Sequence, residues 1–196
     1  MGLRNLQQAS ELTKTQVDVE WLPFFLNPKS AVPEEGQDLF EHISQKYGPE
    51  MAQRFSGPTN PLTVAGAKVG IVFNNRRKMI RTERAHSLME WANRRSTQDS
   101  ARLMEALFKA YFEDAIHINQ KDELSKIALA VFGAELMGEY QECIESDQFV
   151  EEVVRKDREV KTKLRITGVP FFVIGEQSFS GAQPAAFLAE VLEDQK

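Results

Sequence analysis

Residues 167–175, Thr-Gly-Val-Pro-Phe-Phe-Val-Ile-Gly, constrain the fold more than any other stretch of the chain. Pro170 has no N–H, so it suits the first residue of a strand and not its middle. The four residues after it, 171–174, are apolar and β-favouring. A second short run, 177–180, follows across Gly175-Glu176, the spacing of a hairpin with a two-residue turn. Gly181-Ala182-Gln183-Pro184 then opens a last helix over 183–193, with Pro184 in the first turn, where proline is tolerated. Strand, strand and helix in that order close an α/β domain.

The other end of the chain has the opposite character. Leu3, Leu6 and Ala9 recur at helical spacing over 2–12, with no capping residue ahead of them. Val17, Val19, Trp21 and Pro23 alternate with Asp18, Glu20 and Leu22, which predicts a half-buried strand over 17–24. Phe24-Phe25-Leu26 prolongs it, and Asn27-Pro28 stops it. From residue 38 to about 166 helical periodicity dominates. Helices are expected over 38–47, 50–55, 61–70, 83–95, 98–112, 121–132, 135–144 and 147–165, with Thr97 and Ser146 as N-caps. A block of helices between the two halves of a small sheet is an insertion in an α/β core. The core is assigned to 1–36 and 166–196, the inserted helical domain to 37–165.

The 196 residues suffice for one such domain, and the net charge of −5 argues against a nucleic-acid partner. No apolar run approaches the ~18 residues of a membrane span, and the polar opening residues carry no secretory signal. One cysteine, Cys143, excludes an internal disulfide and a cysteine-rich zinc site. The expected location is the cytoplasm, with an organelle lumen also compatible.

Few side chains offer chemistry. Cys143 lies among Glu139, Gln141, Glu142 and Glu145, whose carboxylates oppose a thiolate, so it reads as packed and inert. His42, His86 and His117 are far apart in sequence and have no second ligand at i+3 or i+4, so no metal site is expected. No nucleophile elbow and no phosphate-cradling loop occurs, and no cofactor is implied. Arg76, Arg77, Lys78, Arg81 and Arg84 form a basic run that reads as a solvated loop able to meet an acidic partner.

Five stretches in order carry a resemblance: Ala85-His86-Ser87-Leu88, Glu105 to Phe112, Ile116-His117-Ile118, Gly168 to Val173, and Ser180 to Gln183. Together with Trp21 to Pro28 they resemble the DsbA-type thioredoxin-fold oxidoreductases, FrnE-like branch, over essentially the whole chain. The resemblance implies a thioredoxin-like α/β core with a large helical insertion. It also implies a cis Val169–Pro170 bond and a substrate groove lined by Gly168, Val169, Pro170, Asn27 and Gln183. Asn27 and the Gly181-Ala182-Gln183 turn are expected at the same end of the sheet as Pro170.

In that family a strand ends in a Cys-x-x-Cys dithiol at the start of the first helix, where the helix dipole lowers the thiol pKa. This sequence has neither the strand nor the cysteines, and Gly2-Leu3-Arg4 resembles the helix just past the dithiol. The first β-strand is therefore expected to be missing, as in an N-terminally shortened form of a longer protein, and no catalytic residue is assigned. Three functional readings stand side by side: a thiol–disulfide oxidoreductase inactive as written, a non-catalytic peptide-binding or scaffold protein, and a glutathione-dependent transferase or isomerase. The partners implied are a thiol-containing peptide, a small thiol such as glutathione, or further copies of the chain completing the sheet.

Overall fold

The structure is a computed structural model in which residues 1–26, 32–57 and 59–195 are described. Helix α1 (Gly2–Thr13) buries Gly2, Leu6 and Ala9 and ends on Lys14 in the left-handed conformation. At the other end of the chain, β3 (Phe171–Ile174) pairs with β4 (Gln177–Ser180), with Phe172 opposite Phe179 and Ile174 opposite Gln177. Gly175 turns this hairpin at φ +57, which glycine adopts without the Cβ clash of other residues. Helix α10 (Ala185–Glu193) follows, with Pro184 as its N-cap residue.

These elements share one apolar cluster. Leu6 and Ala9 of α1 meet Leu188 and Leu192 of α10, with Phe172, Ile174 and Phe179 of the hairpin packed alongside. Phe172 stacks on Phe179 at 5.6 Å, and Phe179 meets Phe187 edge-on at 5.1 Å. Leu188 is fully buried, and truncating such a side chain to alanine costs about 2–5 kcal/mol.

The long middle of the chain is helical. A two-residue bridge joins β1 (Gln37–Asp38) to β2 (Lys78–Met79). It flanks α2 (Leu39–Tyr47) and α3 (Pro49–Ser56), whose Leu39, Ile43 and Ala52 form a small cluster of their own. Helix α4 (Pro61–Ala67) leads through a loop to that bridge. The larger core lies among α5 (Glu83–Arg95), α6 (Thr97–Phe108), α7 (Lys121–Phe132), α8 (Met137–Ser146) and α9 (Val150–Leu164). Leu88, Leu103, Leu124 and Tyr140 are fully buried there. Trp91 packs edge-on against Phe132 at 5.0 Å.

Several expectations need correction. Residues 14–25 form no strand. The predicted alternation is present: Val17, Val19 and Trp21 are half-buried, and Asp18, Glu20 and Leu22 are exposed. A ladder needs a neighbouring strand, and among the described residues this segment has none. Side chains take its place. Asn93 Nδ2 donates to the Trp21 carbonyl at 2.8 Å, Asp157 Oδ1 accepts from the Phe25 N–H at 2.7 Å, and Lys161 Nζ donates to the Phe25 carbonyl at 2.6 Å. The cap of α6 is Ser96, whose hydroxyl accepts from the Asp99 N–H; Thr97 is already helical. Ser146 ends α8 by donating to the Glu142 carbonyl, and α9 begins only after Asp147 turns left-handed. The helix expected over 98–112 changes at Lys109 into a π-helical turn, Lys109–Glu113, and Phe108 is exposed.

His86 of α5 packs against Phe25 at 4.7 Å and donates from Nδ1 to the Thr82 carbonyl. Loss of solvent lowers its pKa from 6.5, against smaller opposing effects of that hydrogen bond, Asp157 and Glu83. A depressed folded pKa means that the unfolded chain takes up the proton first. This contribution to stability is present above pH 6.5 and is lost as pH falls below it. Thermal melts between pH 6.5 and about 5 should show declining stability in the parent chain and a flatter profile in His86→Gln.

Candidate functional site

The start of β3 lies against the start of α1. A Cβ placed on Gly2 would stand 3.1 Å from Pro170 Cγ and 3.1 Å from Phe172 Cζ, so the helix approaches this closely because residue 2 has no side chain. The Val169–Pro170 peptide is cis, and the Pro170 carbonyl accepts from the Gly181 N–H at 2.9 Å. That bond extends the hairpin register by one pair, which places Gly181 beside Pro170. Asn5 Nδ2, one turn into α1, donates to the Gln183 carbonyl at 2.7 Å. Gln183 turns its own amide back onto the Ser180 carbonyl at 2.7 Å.

The geometry of the edge follows from the pairing. In an antiparallel hairpin the residues alternate between bonding the partner and facing away. Pro170 bonds toward β4, so the backbone groups of Val169, Phe171 and Val173 point to the other edge. Among the described residues the Val169 N–H and C=O have no hydrogen-bond partner. Val169 and Val173 are 49% and 56% exposed, so the edge is both open and apolar. It is the form of surface to which an extended peptide adds as a further strand.

Of the residues singled out from sequence, Gly168, Val169, Pro170 and Gln183 gather at this end of the hairpin, whereas Asn27 lies outside the described residues. Gln183 contributes its carbonyl to Asn5, while its side-chain amide is spent on Ser180. Neither Gly2 nor Asn5 was expected in the groove. Their sequence signals are a glycine at a first helical turn and a small amide between Leu3 and Leu6 on the packed side of α1.

Other candidate groups stand elsewhere. Cys143 is buried in the helical core with its Sγ near the Ser87 carbonyl at 3.9 Å, and burial pushes its pKa up to about 11. Among the described residues no cluster of histidines, cysteines and carboxylates could hold a metal ion. The basic run separates into different roles. Arg84 binds Asp147 and Glu34, and Arg81 binds Glu83. Lys78 donates to the Glu35 carbonyl. Arg77 is not solvated: it is 5% exposed, lies 5.8 Å from the Phe73 ring and 5.6 Å from the Phe112 ring, and donates to the Asn74 carbonyl. The rings are available because the π-helical turn carries Phe112 toward the loop at 70–77, where the Asn74 N–H donates to the Phe112 carbonyl at 2.8 Å.

Two outcomes test this geometry. Asn5→Ala should lower stability by about 1 kcal/mol, which is about 2–4 °C in Tm, whereas Gln183→Ala should change it by less than half as much. Iodoacetamide should label Cys143 slowly in the native protein at neutral pH and rapidly in urea, because the neutral, buried thiol is a poor nucleophile.

The family model for the DSBA-like thioredoxin domain matches residues 1–193. The crystal structure of a probable DsbA oxidoreductase from Streptomyces coelicolor is similar to this chain, with a TM-score of 0.77 and 26% sequence identity. The match covers 98% of this chain and 82% of that one. No curated protein matches the sequence.

Proposed function

Since this chain belongs to the DSBA-like thioredoxin domain family, we propose that it is a DsbA relative of the FrnE-like branch whose 196-residue polypeptide binds extended thiol-containing peptides without exchanging their disulfides. The fold itself is thioredoxin-like, an α/β core with a helical insertion between its two halves. We assign residues 1–36 and 166–196 to the core and 37–165 to the insertion. The separate apolar clusters of the α1–α10 pair and of helices α5–α9 support this division.

Disulfide exchange requires a thiolate that attacks a disulfide sulfur, forming a mixed disulfide and expelling the other sulfur as a thiolate. A second thiol then resolves the mixed disulfide. This sequence holds one thiol, buried among helices α5 and α8 and protonated at neutral pH. Neither half of the reaction has its nucleophile.

The observation that carries the binding reading is the open edge at Val169, Phe171 and Val173 beside the packed Gly2–Pro170 contact. A peptide strand laid along it would pair its alternate backbone groups with the protein's. The apolar side chains at 169 and 173 favour an apolar residue beside the peptide's sulfur.

The test has two arms. The 196-residue protein should give no turnover in insulin reduction, and turnover abolished by Cys143→Ser would overturn that half. A fluorescent peptide carrying one S-methylated cysteine should bind, and N-methylation of its alternate residues should weaken binding about fivefold or more, as removal of hydrogen bonds of about 1 kcal/mol each requires. Equal binding of the N-methylated peptide would exclude strand addition.

A further inference from the structure

Two extended stretches rest on one apolar floor without pairing to each other. The floor is the α1–α10 pair, with Leu6, Ala9, Leu188 and Leu192 buried in it. Phe172 and Ile174 of β3 pack on this floor, and so do Val17 and Val19. The two stretches run in opposite directions. Helix α1 starts beside Pro170 and ends at Lys14, where the Thr15 N–H donates to the Ser10 carbonyl and the chain turns back. Helix α6 marks the return. Asp18 meets Thr97 at its start and Trp21 meets Phe108 at its end, whereas Gln7, midway along α1, bonds Glu105. Residues 17–21 therefore head back toward the Pro170 end, which β3 leaves.

Both stretches have backbone to spare. Unlike Trp21 and Phe25, residues 16–20 have no backbone N–H or C=O bonded to any described residue. Phe171 and Val173 turn theirs away from β4. Two packed helices of about 10 Å each make a floor about 20 Å wide, enough for four strands spaced about 4.8 Å apart. Strands β3 and β4 and residues 17–20 occupy three of those widths. Strand β4 lies on the α10 side, where Phe179 meets Phe187. Strand β3 lies over the start of α1, and residues 17–20 follow directly from the end of α1. The fourth width thus falls between β3 and residues 17–20.

We propose that a peptide of alternating apolar and basic residues inserts between β3 and residues 17–20 as a strand bonded along both of its edges. This rests on the strand-addition reading of the β3 edge and names the peptide that the edge takes. The β3 edge sets no sequence by itself; the floor and residues 17–20 do. Alternate apolar side chains meet Leu6, Ala9 and Leu188. The others share the outer face with Asp18 and Glu20, both exposed, whose carboxylates complement lysine or arginine. The peptide lies parallel to one neighbour and antiparallel to the other, because the neighbours oppose each other.

Fluorescence anisotropy of labelled Lys-Val-Lys-Val-Lys-Val-Lys with the 196-residue protein tests it. In a strand the valine N–H groups point to one edge and the lysine N–H groups to the other. N-methylating the valines, or the lysines instead, should therefore weaken binding about fivefold or more in each case. If only one of the two weakens, the peptide adds to the β3 edge alone: insertion is overturned and edge addition stands. If neither weakens, both forms of strand addition are excluded. The glutamate peptide Glu-Val-Glu-Val-Glu-Val-Glu should bind about five- to tenfold more weakly, and the double variant Asp18→Lys, Glu20→Lys should reverse that preference. Both side chains are exposed, so this variant should melt with the parent protein. An unreversed preference, no binding of the lysine peptide at millimolar concentration, or a sedimenting dimer that the peptide does not dissociate overturns the proposal.

Discussion

Helix α1 lies against the start of β3 only because position 2 has no side chain. With Pro170 and Phe172 both at 3.1 Å from where a Cβ would stand, any other residue must push one of them away. The same helix packs along its length on α10. Leu6 and Ala9 meet Leu188 and Leu192 there, and Asn5 bonds the Gln183 carbonyl. The end of the hairpin, the first turn of α1 and the turn into α10 are thereby fastened to one another. The backbone of Val169 is left at an edge with nothing opposite it among the described residues.

The segment between α1 and β1 shows how extended backbone is satisfied without a sheet. An N–H or C=O removed from water needs some partner, and the partner need not be a strand. Asp157 and Lys161, one turn apart on α9, bond the N–H and the carbonyl of Phe25, while Asn93 of α5 bonds the Trp21 carbonyl. The helical block therefore supplies what a ladder would. Val17 and Val19 pack on the α1–α10 cluster and Trp21 packs on the helical one, so this short stretch spans both apolar bodies.

The β3 edge offers directional backbone groups flanked by apolar side chains, which favours an extended chain of many sequences. Cys143 stands apart from this edge. Its thiol is packed against Ser87 in the helical core, where loss of water keeps it neutral.

Local rules determined a large part of this protein. Turn chemistry and the β-favouring run placed the hairpin at residues 171–174 and 177–180, and periodicity with capping and glycine stops placed α1, α5 and α7 within a residue or two of their observed ends. These signals act over one turn or one pair, so they are written in adjacent residues. The acidic neighbours of Cys143 argued against a thiolate, but what raises its pKa in the structure is first of all burial, which adjacent residues do not encode. Tertiary structure alone decided whether 17–24 became a strand: alternation predicts which side chains are buried, whereas a ladder requires a neighbour that the alternation does not encode. It also buried Arg77 between two aromatic rings by means of a π-helical turn that no local pattern marks. The candidate site divided along the same line. Gly168, Val169 and Pro170 were assigned to the candidate groove through the resemblance carried by the stretch around Pro170, while Gly2 and Asn5 joined it only when residues about 170 positions apart in the chain were packed to within contact distance.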